Sequence, residues 1–155
     1  MANIRYEAED MVLTDYAPEN ASFASGGRLI RLSGSQASGT ATVQFNGAAG
    51  DYQLKVVYHD ERDGEATIRV KVDDGNDSSG GDKFDGFRAL EEWTLDESTS
   101  STRADVNNRR ERTLSEVVSL EAGDQIQIEG ILDQGEVARV DYIALIPVEG
   151  STPVD

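Results

Sequence analysis

Three observations predict an all-β fold, a jelly-roll β-sandwich of two antiparallel sheets. Apolar and polar residues alternate over short runs. Gly- and Asp-rich turn clusters separate those runs at roughly even spacing. No window of about eleven residues carries an apolar stripe of helical period. In chain order, the first extended segment is Tyr6-Glu-Ala-Glu-Asp10, where a period of two would place Glu7 and Glu9 on one face of a strand. Arg28-Leu-Ile-Arg-Leu32 reads as the next strand. Thr40–Phe45, Tyr52–Tyr58 and Ala66–Val72 follow, each alternating or nearly so. Gln125–Glu129 alternates again, and Ala138 to Ile146 is long and apolar enough for a buried strand. The turns between them are Ser33–Ser35, Gly47–Asp51, Asp73–Asn76, Ala122–Asp124 and Asp133–Gly135. Two stretches break the rhythm. Asp73 to Asp85 is rich in Gly, Ser and Asp, and Thr99 to Arg112 carries Arg103, Arg109, Arg110 and Arg112; both read as long loops.

The chain has 155 residues, the size of one ordinary domain. We assign residues 1–148 to a single sandwich and 149–155 to a tail or linker. It holds 30 acidic and 14 basic residues for a formal charge of −16, with a pI near 4.3. That balance argues against a nucleic-acid or anionic-membrane binder, since both demand a basic footprint. Without cysteine, the chain has no disulfide, thiolate zinc site or cysteine nucleophile. No apolar run is long enough to span a membrane as a helix. Met1 to Glu7 lacks the basic start and apolar stretch of a signal peptide. Two expectations follow from that start: a cytoplasmic protein, or a module excised from a larger exported polypeptide.

Few residues converge on catalysis. His59 is the single histidine, no G-x-S-x-G elbow occurs, and no phosphate-binding glycine pattern or EF-hand loop is present. The carboxylates are more informative. Glu7 and Glu9 repel if they share a face, and Asp141 would share a strand face with the apolar Ile143 and Leu145, where a charge is costly unless paired or coordinated. Two solutions are open: ion pairing with Arg5, Arg28 or Arg139, or one calcium ion taking several oxygen ligands. Trp93, the only tryptophan, is either a core residue or a platform for a sugar ring.

Four blocks, in order along the chain, resemble the calcium-binding β-sandwich carbohydrate-binding modules of families six, thirty-five and thirty-six. They are Tyr6-Glu-Ala-Glu-Asp10, Ala24-Ser-Gly-Gly-Arg28, Leu120-Glu-Ala-Gly-Asp-Gln-Ile126 and Val140-Asp-Tyr-Ile143. Tyr58-His-Asp-Glu-Arg-Asp-Gly64 and Gly135–Ile143 are similar to blocks of acidic bacterial modules. The resemblance implies a jelly roll without catalysis of its own. It also implies a structural calcium held by Glu7, Glu9 and Asp141, with a backbone carbonyl between Ser25 and Arg28 joining them. It places sugar binding at loops on one end of the sandwich, with Trp93 as platform and Tyr58, Asp60, Glu61 and Asp63 on the rim.

The chain departs from that pattern twice. No aromatic stands at Ile30 to Leu32, and Arg139 replaces an asparagine the family often carries. Arg suits bidentate recognition of carboxylate or sulfate. Arg139 and Arg112 therefore point to an acidic or sulfated polysaccharide, or else they neutralise neighbouring acids. The function expected is a non-catalytic, calcium-stabilised module that holds a larger multidomain extracellular or cell-surface enzyme on a polysaccharide or oligosaccharide. The alternative is a structural or adhesive calcium-binding sandwich without a sugar site, which expects Trp93 to be buried.

Overall fold

A computed structural model describes residues 4–21, 24–32, 37–59, 66–73, 88–95, 109–132 and 138–148. Eleven strands are present among them: β1 Ile4–Glu7, β2 Val12–Thr14, β3 Tyr16–Asn20, β4 Arg28–Leu32, β5 Ser38–Gln44, β6 Gly50–His59, β7 Thr67–Asp73, β8 Arg88–Thr94, β9 Arg109–Leu120, β10 Gln125–Ile131 and β11 Val140–Pro147. They form the two antiparallel sheets of the expected sandwich. One sheet runs β3-β4-β11-β6-β9 with β1 also pairing β11, and the other runs β2-β5-β10-β7-β8.

Alternation builds the core. Ile126 and Ile128 on β10, Ile68, Val70 and Val72 on β7, and Ala41 on β5 point inward from one sheet. Ile30, Leu32, Leu54, Val56, Val140, Ile143 and Leu145 meet them from the other. Removing each of the larger side chains from water contributes about 1.5–3 kcal/mol. Residues between these inward positions face out. On the six-stranded sheet, Val57, Tyr142 and Ala144 make a small second cluster separate from the core.

Two expectations need correction. The opening strand stops at Glu7, and Glu9 belongs to a 3-10 turn over Ala8–Asp10. Glu7 and Glu9 are therefore brought together by the turn, not by strand alternation. The arginine-rich stretch is not a loop to its end, because Arg109, Arg110 and Arg112 are on β9. That strand lacks clean alternation because it is an edge, with only Leu114, Val118 and Leu120 buried. A register shift against β6 between Gln53 and Lys55 also inserts extra residues.

The register fixes which strand ends meet. Tyr58 pairs Val140 and His59 pairs Arg109 in one sheet, while Thr67 pairs both Thr94 and Ile131 in the other. Thus β6, β8 and β10 end, and β7, β9 and β11 begin, at the same end of the sandwich. Backbone bonds tie this end together: His59 N–H donates to the Arg139 carbonyl at 3.1 Å, and Leu95 N–H to that of Ala66 at 2.8 Å.

Candidate functional site

Two places gather the residues that the sequence marks for chemistry. The first is a carboxylate corner at the start of the chain. Glu7 ends β1 opposite Tyr142 of β11, and the 3-10 turn carries Glu9 back beside it. Both side chains close around Gly26. A methyl group built there would lie 3.2 Å from Glu9 Oε2 and 3.4 Å from Glu7 Oε1. Gly26 also has φ of 69°, in the left-handed region that glycine enters without steric cost. The Ser-Gly-Gly run thus supplies backbone where a side chain would fill the space between two carboxylates.

Asp141 is wholly buried, at the position where β11 shifts register against β6 between Val140 and Tyr142. One oxygen each of Glu7, Glu9 and Asp141 is closed off from solvent, and Oε1 of Glu9 has no hydrogen-bond partner among the described residues. The Glu9 pKa is raised above the ordinary carboxylate value, first by burial and then by the charges of Glu7, Asp10 and Asp141, against one opposing backbone hydrogen bond. Arg5 approaches Glu7 at 4.0 Å. Arg28 is exposed and makes no ion pair among the described residues. Ser25 lies in a second 3-10 turn, over Ser25–Gly27. Among the described residues, no group of three or more His, Asp or Glu side chains that could hold a metal forms. The donor chemistry suits a hard cation, and a calcium ion there would draw further oxygens from backbone or water.

The second place is the end of the sandwich where β6, β8, β9 and β11 meet. Trp93 on β8 is 7% exposed and belongs to the core, so it is not an open platform. Its ring packs against Tyr58 with centroids 5.7 Å apart and planes tilted by 53°. The indole N–H is buried and has no acceptor among the described residues. The Arg112 guanidinium lies 4.8 Å from the centre of the indole ring. Arg112 Nε also donates to Glu91 Oε2 at 2.6 Å, while Glu91 Oε1 accepts from the Ser115 N–H at 3.1 Å. Arg139 is buried, its Nε donating to Glu19 Oε1 at 2.7 Å and its Nη2 to Oε2 at 3.4 Å. Of the arginines expected to meet an acidic glycan, these two already hold carboxylates of the chain. Asp60, Glu61 and Asp63 lie outside the described residues.

Sequence reasoning missed Glu19 and Glu91. Each is one acid among many, and its partner arginine is far away in the chain. The strained backbone beside Arg139 was also missed: Ala138 has φ of 48°, and its carbonyl accepts from the buried Tyr16 hydroxyl at 2.8 Å.

No family model matches the chain. It is 28% identical over 148 residues to an alpha-glucuronidase of Hypocrea jecorina, across 92% of this chain and 16% of that protein. It is 30% identical over 150 residues to alpha-glucuronidase A of Emericella nidulans, with the same coverage of 92% and 16%. The chain therefore spans about a sixth of the curated relatives it matches. Among solved structures, a family 35 carbohydrate-binding module from Clostridium thermocellum superimposes with a TM-score of 0.61 at 17% identity, covering 96% of this chain and 100% of that one. Family 35 module CBM35 from Paenibacillus barcinonensis gives a TM-score of 0.57 at 18% identity over 94% and 99%. A GH26-CBM35 β-(1,4)-mannanase of Podospora anserina gives 0.62 at 20% identity, over 99% of this chain and 28% of that one. The fold is that of the family 35 carbohydrate-binding modules.

Proposed function

We propose that this chain is a non-catalytic carbohydrate-binding module of a larger extracellular carbohydrate-active enzyme, stabilised by a calcium ion at Glu7, Glu9 and Asp141. One observation carries the reading: the chain matches a free-standing family 35 module end to end, yet spans only 16% of the alpha-glucuronidases it resembles. That is the signature of a separable module. Holding a tethered enzyme on polymer raises its effective substrate concentration without any chemistry in the module itself. The loop end beside Tyr58 and Trp93 is the proposed sugar contact.

The calcium reading is supported by the two glutamates around Gly26 and by the buried, partnerless Oε1 of Glu9. When bound, calcium would supply the positive charge that these acids lack, and through mass action it would stabilise the folded state. A polysaccharide affinity-gel panel, run with calcium and with chelator, tests the module. Retardation by at least one polysaccharide, without release of reducing ends, is expected. Turnover that one carboxylate mutation abolishes would make the chain an enzyme.

A second reading has one observation in its favour. Burial of Trp93 suits a structural or adhesive sandwich without a sugar site. No retardation across the panel, with calcium stabilisation intact, would select it.

A further inference from the structure

Two adjacent glycines in the Ser25–Gly27 turn share a backbone conformation and differ in what surrounds them. Gly26 has φ of 69° and Gly27 has φ of 79°, so both stand in the left-handed region, where a side chain brings strain. Around Gly27 an added Cβ would meet nothing within 4 Å. Around Gly26 it would meet Glu9 Oε2 at 3.2 Å, Glu7 Oε1 at 3.4 Å and Glu7 Cδ at 3.9 Å, and these are its three nearest neighbours. Left-handed backbone explains a glycine at both positions. It does not explain why one of them opens onto two carboxylates.

The kind of neighbour decides what a side chain would do. At Gly39 an added Cβ would press on the Asp15 and Thr14 carbonyl oxygens at 2.8 Å, backbone that cannot step aside. At Gly26 it would press on the tips of two glutamates, which can turn about their own side-chain bonds. The turn itself is held elsewhere. Gly27 N–H donates to the Ala24 carbonyl, Ala24 N–H to that of Ala21 and Ala21 N–H to that of Gly27, each at 2.9 Å. None of these bonds passes through Gly26. A methyl group there is therefore tolerable while the glutamate tips can yield, and intolerable once an ion holds both of them in place. A calcium ion keeps its oxygens at about 2.3–2.6 Å, closer than a carbon can approach, so the ion and the methyl compete for the same carboxylates.

We propose that Gly26 is a positioning residue of the cation site: its missing side chain is the space that lets Glu7 and Glu9 close on one ion, whereas Gly27 serves only the bend of the chain. This role rests on the calcium reading above and adds a steric requirement to it. A side chain at Gly26 becomes an intramolecular competitor of the metal. To the empty fold it brings only the strain that a side chain at Gly27 brings equally.

The test compares Gly26→Ala with Gly27→Ala in the whole chain, by calorimetric titration with calcium and by melts in millimolar calcium and in excess chelator. In chelator the two variants should melt close together and below the parent, since both carry left-handed strain. In calcium Gly27→Ala should regain the parent's full rise in melting temperature, and Gly26→Ala little or none of it. The calcium Kd of Gly26→Ala should rise about tenfold or more, the scale of a lesion beside a metal ligand, while that of Gly27→Ala stays near the parent's. Gly26→Asn and Gly27→Asn repeat the comparison if the alanine pair does not fold, because asparagine enters the left-handed region more readily. Equal calcium responses in the two variants, whether kept or lost, overturn the proposal. So does a Gly26→Ala protein that melts well below Gly27→Ala in chelator, since the methyl would then clash with the empty fold. A parent that calcium neither binds nor stabilises removes the calcium reading itself, and the steric role of Gly26 falls with it.

Discussion

Gly130 has no room for a side chain. A Cβ built on it would collide with the hydroxyl of Tyr16 and come within 2.9 Å of the Ala138 Cβ. Burial pushes the Tyr16 phenol well above its ordinary pKa, with the Glu129 charge adding to it, so it stays a neutral donor to the Ala138 carbonyl. Gly130→Ala should therefore cost about 1–3 kcal/mol, as overpacking does. Urea denaturation checks it, and an unchanged midpoint would disprove the crowding. Glu9 works in the opposite sense. In metal-free protein its folded pKa lies above the unfolded value, first because it is buried and then because Glu7, Asp10 and Asp141 surround it. The folded state thus holds the proton more tightly, and stability falls as pH rises from the ordinary carboxylate pKa through the raised one. Glu9→Gln should melt higher than the parent in chelator at neutral pH, and gain less from added calcium. Melts in which Glu9→Gln gains as much from calcium as the parent would remove Glu9 from the metal site.

Between elements, β8 and β9 are edge strands of different sheets, and Glu91 clasps them together through Arg112 and Ser115. Burial on its own would raise the Glu91 pKa, but the hydrogen bonds from Arg112 and Ser115 outweigh it, and the carboxyl is held below its ordinary value. That contribution is present above the unfolded pKa and is lost as pH falls through the folded one. Glu91→Gln should cost about 1 kcal/mol at neutral pH, a modest figure because Arg112 is partly open to water. The difference from the parent should shrink in acid below the ordinary glutamate pKa. Tryptophan fluorescence offers a second readout, since Arg112 over the Trp93 ring would lose its anchor. Trp93 itself lies in the core between the sheets, so Trp93→Ala should cost about 3–5 kcal/mol, which would unfold many domains of this size. A well-folded Trp93→Ala variant that has lost only glycan binding would instead make the tryptophan a platform.

At the scale of the whole molecule, the calcium claim has a global consequence. Melting temperatures in millimolar calcium and in excess chelator should differ by several degrees, because a ligand bound only by the folded state adds its binding free energy to stability. Identical melts would refute it. Net charge sharpens this expectation. With −16 on the chain, self-repulsion favours expansion, and a divalent cation at Glu7, Glu9 and Asp141 would relieve part of it. Added monovalent salt should recover part of the chelator-induced loss by screening, but not all, because the carboxylate oxygens are buried.

The sandwich was legible in the sequence wherever one face of a strand is buried and the other wet. That is why the strands at Thr40–Phe45, Tyr52–Tyr58, Ala66–Val72 and Gln125–Glu129 match β5, β6, β7 and β10 to within a few residues. Edge strands were not legible, since β8 and β9 bury too few side chains to print a period of two. Glu7, Glu9 and Asp141 could be singled out as carboxylates in need of positive charge. The way Gly26 admits two of them to one corner came only from the turns at Ala8–Asp10 and Ser25–Gly27. The arginines divide most sharply. Composition tells that most must meet an acid, yet whether Arg139 meets Glu19 or Arg112 meets Glu91 depends on strand register across 21 to 120 residues of chain. Alternation is a local consequence of burial and is written in each segment. Charge pairing is a consequence of which segments become neighbours, and only the closed pair of sheets decides that.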